Sequence, residues 1–267
     1  MKEETQAEIR FKRELLARKY SQSSIETYTS CLRVIDFMVS PEFDLAKIKD
    51  YIITINNRNY HKQMVATVRN YYEFVLGKKL NFSELPYPRK EEKLPEVFSR
   101  EEMSRLLDVE KNQKHQVIIS VLYNCGLRIS ELINLKLEDI DSERMVIKVK
   151  ASKGNKDRNV PIQEKILALL REYYKVYKPE KYLLNGQLGL QYTESSINQL
   201  LKYYAKRSGI TKKIHAHKLR HSYATHLHEM GTHIDIIKNL LGHSDVKTTE
   251  IYTKVSKAYT SGIPSLI

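Results

Sequence analysis

Between Ser83 and Glu96 the chain loses every feature that would let it sit in a core. Pro86, Pro88 and Pro95 flank the run Arg89-Lys90-Glu91-Glu92-Lys93, so helix is disfavoured on both sides and the alternating charges have no apolar face to bury. This divides the fold into two parts, and each must build its own core. The boundary is expected near residue 92, giving domains 1–92 and 93–267. A length of 267 residues with 41% hydrophobic side chains is enough for both.

The first part reads as helical. Ser23-x-x-Glu26 has the form of a capping box and is followed by Ile25, Tyr28, Leu32 and Ile35 at helical spacing. The pattern predicts a second long helix over 61–76, with Val65, Val68, Tyr72 and Val75 on its buried side and Gly77 ending it. Its other face offers Lys62, Arg69 and the trailing Lys78-Lys79 as cations that could lie along a DNA backbone, although such faces are commonly just solvated.

The second part mixes periods. Ser99-x-x-Glu102 caps a helix carrying Met103, Leu106 and Leu107 inward, and an apolar run over 117–123 stops at Gly126. Met145, Ile147 and Val149 then alternate with Val146, Lys148 and Lys150, ahead of a turn at Lys153-Gly154-Asn155-Lys156 and of Arg158-Asn159-Val160-Pro161, which predicts a hairpin. Helical patterns resume over 164–176, 195–208, 218–230 and 234–241, the last two ended by Gly231 and Gly242. The expected class is mainly α with a small β-hairpin or sheet.

Charge narrows the partner. Lys and Arg total 45 against 32 Asp and Glu, a net +13, and both sides of the linker share the excess, with 16 basic against 11 acidic residues over 1–90. A polyanion, nucleic acid first, is the expected partner. No stretch approaches the roughly 20 apolar residues of a membrane span, and the start is not a signal peptide, so a cytoplasmic protein at the nucleoid is expected. Cys31 and Cys125 lie far apart in apolar helical surroundings and read as small core residues.

Residues with chemistry gather towards the end. His217, Arg220 and His221 stand at i, i+3 and i+4 and project from one helix face, whose opposite side is anchored by Leu219, Tyr223, Leu227 and Met230. His217 and His221 have the spacing of metal ligands, but Arg220 between them would repel a divalent ion and no adjacent carboxylate completes a His-Glu-x-x-His pattern. An anion is the better ligand, and no metal or other cofactor is expected. His226, His228 and His233 read as structural or surface residues. His243 follows the helix-ending Gly242, and Tyr252 nine positions on reads as a nucleophile with imidazoles and cations nearby in sequence.

Taken together these segments resemble the tyrosine recombinases, most closely the Xer-type and the phage or mobile-element integrases. Gly126-Leu127-Arg128-Ile129-Ser130-Glu131-Leu132 resembles the segment bearing the family's first arginine, and Ser152-Lys153-Gly154-Asn155-Lys156-Asp157-Arg158 its lysine hairpin. There Lys153 is taken as the lysine, with Lys156 as the alternative. His217-x-x-Arg220, Leu241-Gly242-His243 and Tyr252 supply the rest, and Glu131 and His221 are assigned to support.

The resemblance implies a helical core-binding domain, a mixed catalytic domain and site-specific strand exchange through a 3′-phosphotyrosyl link and a Holliday junction. Arg128 and Arg220 would hold the nonbridging oxygens, His243 would add a donor, Lys153 would protonate the leaving 5′ oxygen, and His217 would help take the tyrosyl proton. It also implies double-stranded DNA with inverted-repeat sites as partner, a tetramer of the chain on two such sites, and scope for accessory proteins. A type IB topoisomerase shares the chemistry, and a non-catalytic DNA-binding factor shares the fold. The apolar tail residues Ile263, Leu266 and Ile267 would dock on a neighbouring protomer if the chain follows similar recombinases.

Overall fold

The computed structural model describes residues 4–38, 43–89, 96–109, 112–150, 157–186 and 190–242. The chain forms two compact units that divide between Glu92 and Lys93.

The first unit contains α1 (Gln6–Ala17), α2 (Gln22–Met38), α3 (Leu45–Ile53) and α4 (Arg58–Phe74). Phe11 and Leu15 of α1, Leu32 and Ile35 of α2, Ile48 of α3 and Met64 and Val65 of α4 are all fully buried in one core. Short polar caps start three of these helices, because Thr5, Asp44 and Asn57 each accept a first-turn N–H. Helix α2 departs from the sequence reading. Its first turn is closed by Ser21, whose Oγ accepts from Ser24 N at 3.3 Å, while Glu26 pairs with Gln22 at 3.0 Å instead of reaching back to Ser23. A serine two residues earlier took the cap, and a spacing rule cannot rank two serines.

The second unit is built around α6 (Gln113–Asn124), whose Val117, Ile118, Ile119, Val121 and Leu122 are completely buried. Around it stand α5 (Arg100–Asp108), the short α7 (Ile129–Ile133), α8 (Glu164–Tyr177), α9 (Glu194–Arg207) and α10 (Ala216–Glu229), with α11 (Ile234–Leu241) packed on α10. The Ser99–Glu102 capping box is formed in both directions, Ser99 N to Glu102 at 2.7 Å and Glu102 N to Ser99 Oγ at 3.2 Å.

A three-stranded antiparallel sheet, in the order β1 (Ile140–Asp141), β2 (Val146–Val149), β3 (Arg158–Pro161), lies at the edge of this core. Ile147 pairs with Ile140 on one side and Val160 on the other, and Ile147, Val149 and Val160 face inward. Two details differ from the expected hairpin. A two-residue strand, too short to show a period, adds a third member, and Met145 adopts a left-handed φ of 55° as part of the preceding turn. Met230, expected to anchor α10, is 69% exposed because the helix ends one residue before it.

No helix among the described residues is long and apolar enough to cross a membrane. Cys31 and Cys125 are buried free thiols, and burial pushes Cys125 up to about 12.

Candidate active site

Two tight glycines bring the polar residues together. Gly126 ends α6 with φ 57°, and a Cβ there would lie 2.4 Å from the Tyr223 ring, so only glycine lets α6 approach α10 this closely. Its carbonyl is thereby aimed into the protein, where Arg220 Nη1 donates to it at 2.8 Å. Gly242 ends α11 with φ 62°, and a Cβ on it would press within 3.1 Å of the Arg158 side chain.

Glu131 is the hub. Its carboxylate receives the Arg128 backbone N–H at 2.7 Å and the Arg128 guanidinium at 2.8 Å. Arg158 adds a bidentate pair, 2.8 Å to each oxygen, and Arg220 Nη1 stands 3.7 Å away. Burial alone would raise the Glu131 carboxyl, but the hydrogen bonds from Arg158 and from the Arg128 backbone, with the charges of Arg158 and Arg220, hold it at about 2. One carboxylate facing three guanidiniums leaves an excess of two positive charges, which suits a dianionic or developing anionic ligand.

The same three arginines cap the end of α11. Arg158 Nε donates to the Leu240 carbonyl at 2.7 Å, Arg220 Nη2 to that of Leu241, and Arg128 Nη2 to that of Gly242 at 3.4 Å. These are the carbonyls that a helix leaves without internal partners, at the negative end of its dipole. Arg128 keeps 28% of its side chain exposed, whereas Arg220 keeps 1% and Arg158 7%.

His217 lies one residue inside the start of α10, exposed, with the ring of His221 packed edge-on at 4.3 Å and that of His215 stacked at 6.5 Å. Desolvation first, then the neighbouring Arg220, His215 and Arg128, lower its pKa, so the imidazole is neutral at neutral pH and able to accept a proton. His215 caps α10 by accepting from Lys218 N, and His233 caps α11 by accepting from Asp235 N. His226 is buried and bonded to the Tyr123 hydroxyl at 2.7 Å. Among the described residues no His, Cys, Asp and Glu form a group able to hold a metal ion.

The structure thus brings Arg128, Glu131, His217, Arg220 and His221 to one end of the second unit. Lys153, the alternative Lys156, His243 and Tyr252 lie outside the described residues. In the first unit Lys62, Lys78 and Lys79 are exposed. The Arg69 guanidinium is engaged within the unit, donating to the carbonyls of Leu80, Asn81 and Leu85 at 2.8–3.2 Å and lying 4.3 Å over the Phe82 ring.

Sequence reasoning missed Arg158 as a member of the cluster. The available signal was its place at the start of β3 beside the lysine turn. Nothing local showed that its partner is 27 positions upstream.

A family model described as the phage integrase family matches residues 96–258. The tyrosine recombinase XerC of Staphylococcus haemolyticus is 32% identical over 263 residues, which span 90% of this chain and 88% of that protein. The crystal structure of the XerA recombinase aligns with 98% of this chain and 100% of its own at 27% identity and a TM-score of 0.59. The XerH site-specific recombinase, solved bound to its palindromic difH substrate, shares the fold with a TM-score of 0.74 at 21% identity over 95% of this chain and 82% of its own.

Proposed function

Because the chain belongs to the phage integrase family and is a tyrosine-type site-specific DNA recombinase, we propose that Tyr252 attacks a DNA phosphodiester held by Arg128 and Arg220. The observation that carries this reading is the guanidinium cluster around Glu131 at the end of α11, one residue before His243. Attack makes a crowded phosphorane with added negative charge, and the cluster's surplus of positive charge is fixed in place before that charge develops. Arg128 meets the phosphate through its exposed edge. Arg220 joins by exchanging its Leu241 carbonyl for a phosphate oxygen. Loss of either guanidinium removes about 3–4 kcal/mol of transition-state stabilisation, by analogy with a deleted oxyanion donor.

Neutral His217 helps take the tyrosyl proton, His243 donates to a nonbridging oxygen, and Lys153 protonates the departing 5′ oxygen. Glu131 and His221 orient these groups. The phosphotyrosyl bond retains the energy of the phosphodiester, so rejoining needs neither a nucleotide nor a metal ion.

DNA reaches the site along a cleft of about 820 Å³ between the second half of α9 and the segment leading to α10. Exposed Lys202, Lys206, Lys213 and His215 line it and fit a phosphate backbone. On the first unit Lys62, Lys78 and Lys79 take further phosphates, while Arg69 fixes the loop that follows them. Two chains occupy the inverted repeats of one site, two sites pair as a tetramer, accessory proteins act on that assembly, and the work takes place at the nucleoid.

The test is covalent trapping on a nicked suicide DNA substrate. Wild-type protein gives a protein–DNA band on a denaturing gel, and Tyr252→Phe gives none while still binding the half-site. A covalent band in Tyr252→Phe assigns the attack to another residue.

A further inference from the structure

Arg158 has no role in the chemistry above, yet every nitrogen of its guanidinium is engaged within the cluster. Its side chain is 7% exposed, and each of its three nitrogens donates: Nη1 and Nη2 to the two oxygens of Glu131 at 2.8 Å, and Nε to the Leu240 carbonyl at 2.7 Å. All three nitrogens are engaged with Glu131 and the Leu240 carbonyl, so whatever Arg158 does for the reaction passes through those two groups. We propose that Arg158 is a positioning residue for the strand-cleavage site: it shares Glu131 with Arg128, so that the carboxylate does not draw Arg128 and Arg220 fully onto itself, and it ties β3, at the base of the lysine hairpin, to the end of α11. This inference rests on the recombinase reading.

The first half of the role follows from charge. Glu131 is a buried carboxylate within 3.7 Å of both phosphate-directed arginines, and left alone it would draw them together as its own counter-ions. A bidentate arginine satisfies both oxygens in one plane, which a lysine, a single point charge, cannot do. The second half follows from connectivity. Arg158 opens β3, five residues after Lys153, and its Nε caps α11 three residues before His243. Gly242 is the residue that leaves room for it, since a side chain there would press on the Arg158 Cδ and guanidinium. One side chain therefore ties together α7, the hairpin strand β3 and the exit of α11, which adjoin three of the proposed reacting groups, Arg128, Lys153 and His243.

The test compares covalent trapping on the suicide substrate, half-site binding and thermal unfolding across Arg158→Met, Arg158→Lys, Glu131→Gln and the double variant Arg158→Met with Glu131→Gln. Wild-type trapping reports on the recombinase reading itself, independently of the variants. Arg158→Met is expected to lower the cleavage rate about a hundredfold, with half-site affinity within about threefold of wild type. Adding Glu131→Gln removes the carboxylate that competes for the arginines, so the double variant is expected to recover about tenfold over Arg158→Met. A residue that merely supports the fold would give no such recovery, because a second buried substitution only adds damage. Arg158→Lys keeps a charge at Glu131 but cannot also cap Leu240, and about a tenfold loss is expected. The proposal is overturned if the double variant cleaves no faster than Arg158→Met, or if binding falls in step with cleavage. Should Arg158→Met not fold, wild-type cleavage by Arg158→Lys overturns it, and a tenfold loss with binding intact supports it.

Discussion

Glu131 concentrates the electrostatics of the second unit in one carboxylate, 9% exposed and hydrogen-bonded by Arg128 and Arg158. Its folded pKa of about 2 lies below its ordinary 4.5, so ionised Glu131 favours the folded state. A depressed carboxyl contributes its full stabilisation above the unfolded pKa and loses it as pH falls towards the folded one. The window is therefore about pH 4.5 down to 2, and the linkage is worth on the order of 3 kcal/mol. Glu131→Gln is expected to flatten this part of the acid limb in urea unfolding followed against pH. It should also lower stability at neutral pH by about 3 kcal/mol or more, because Arg158 is left buried without its counter-charge. An unchanged acid limb would show that Glu131 does not titrate in this way. At the residue scale the sequence was only partly legible. The types and spacing of His217, Arg220 and His221 identified one polar face, the family resemblance added Arg128, and the structure brings these residues together. That Arg220 is fully enclosed was not readable, since a charged residue on a helix face reads as solvated until Gly126 and Leu241 supply carbonyls. Arg69 shows the same limit from the other side: three carbonyls of the loop after α4 claim a cation that spacing left on an open face.

Elements were legible where one local rule decided the outcome. Helix α5 forms where its capping box predicts, and β2 and β3 pair with Ile147 and Val160 inward as their alternation requires. Helix α4 begins at Arg58 instead of 61, because Asn57 caps it and no apolar period marks that turn. Strand β1 has two residues and no period at all, and exists only because β2 offers it an edge. The hairpin matters for the proposed function because Lys153, the proposed proton donor to the leaving group, lies between β2 and β3 in sequence. β2 and β3 hold a four-pair register from Val146 with Pro161 to Val149 with Arg158, so the segment between them springs from a fixed base. Lys153→Ala is expected to block cleavage of an ordinary phosphodiester. A 5′-bridging phosphorothioate, whose sulfur leaves without a proton, should restore much of the rate. Rescue of Lys156→Ala by sulfur, with none for Lys153→Ala, would move the proton donor to Lys156.

At the scale of the molecule, two separately cored units each carry an excess of positive charge, and this fits a chain that grips one duplex through many phosphates. The proposed tetramer asks for more than grip, because its four active sites would have to be coupled for strands to be exchanged in pairs. The family match ends at residue 258, and the segment beyond it includes Ile263, Leu266 and Ile267 with Gly262 and Pro264 among them. Such a sequence does not favour a long helix, and it is more apolar than a solvated end requires. In the proposed cyclic assembly each protomer would present the same plug to its neighbour's same socket, so a short apolar tail would act four times around the ring. Deleting residues 258–267 is expected to leave half-site binding within about twofold. The same deletion should weaken pairing of two full sites in a gel-shift titration by about tenfold or more, since a few apolar side chains at each of several interfaces are together worth more than ~1.4 kcal/mol. Covalent trapping on a single suicide half-site should survive while recombinant products fall. Synapsis and recombination at wild-type levels in the truncated protein would place the coupling elsewhere in the chain.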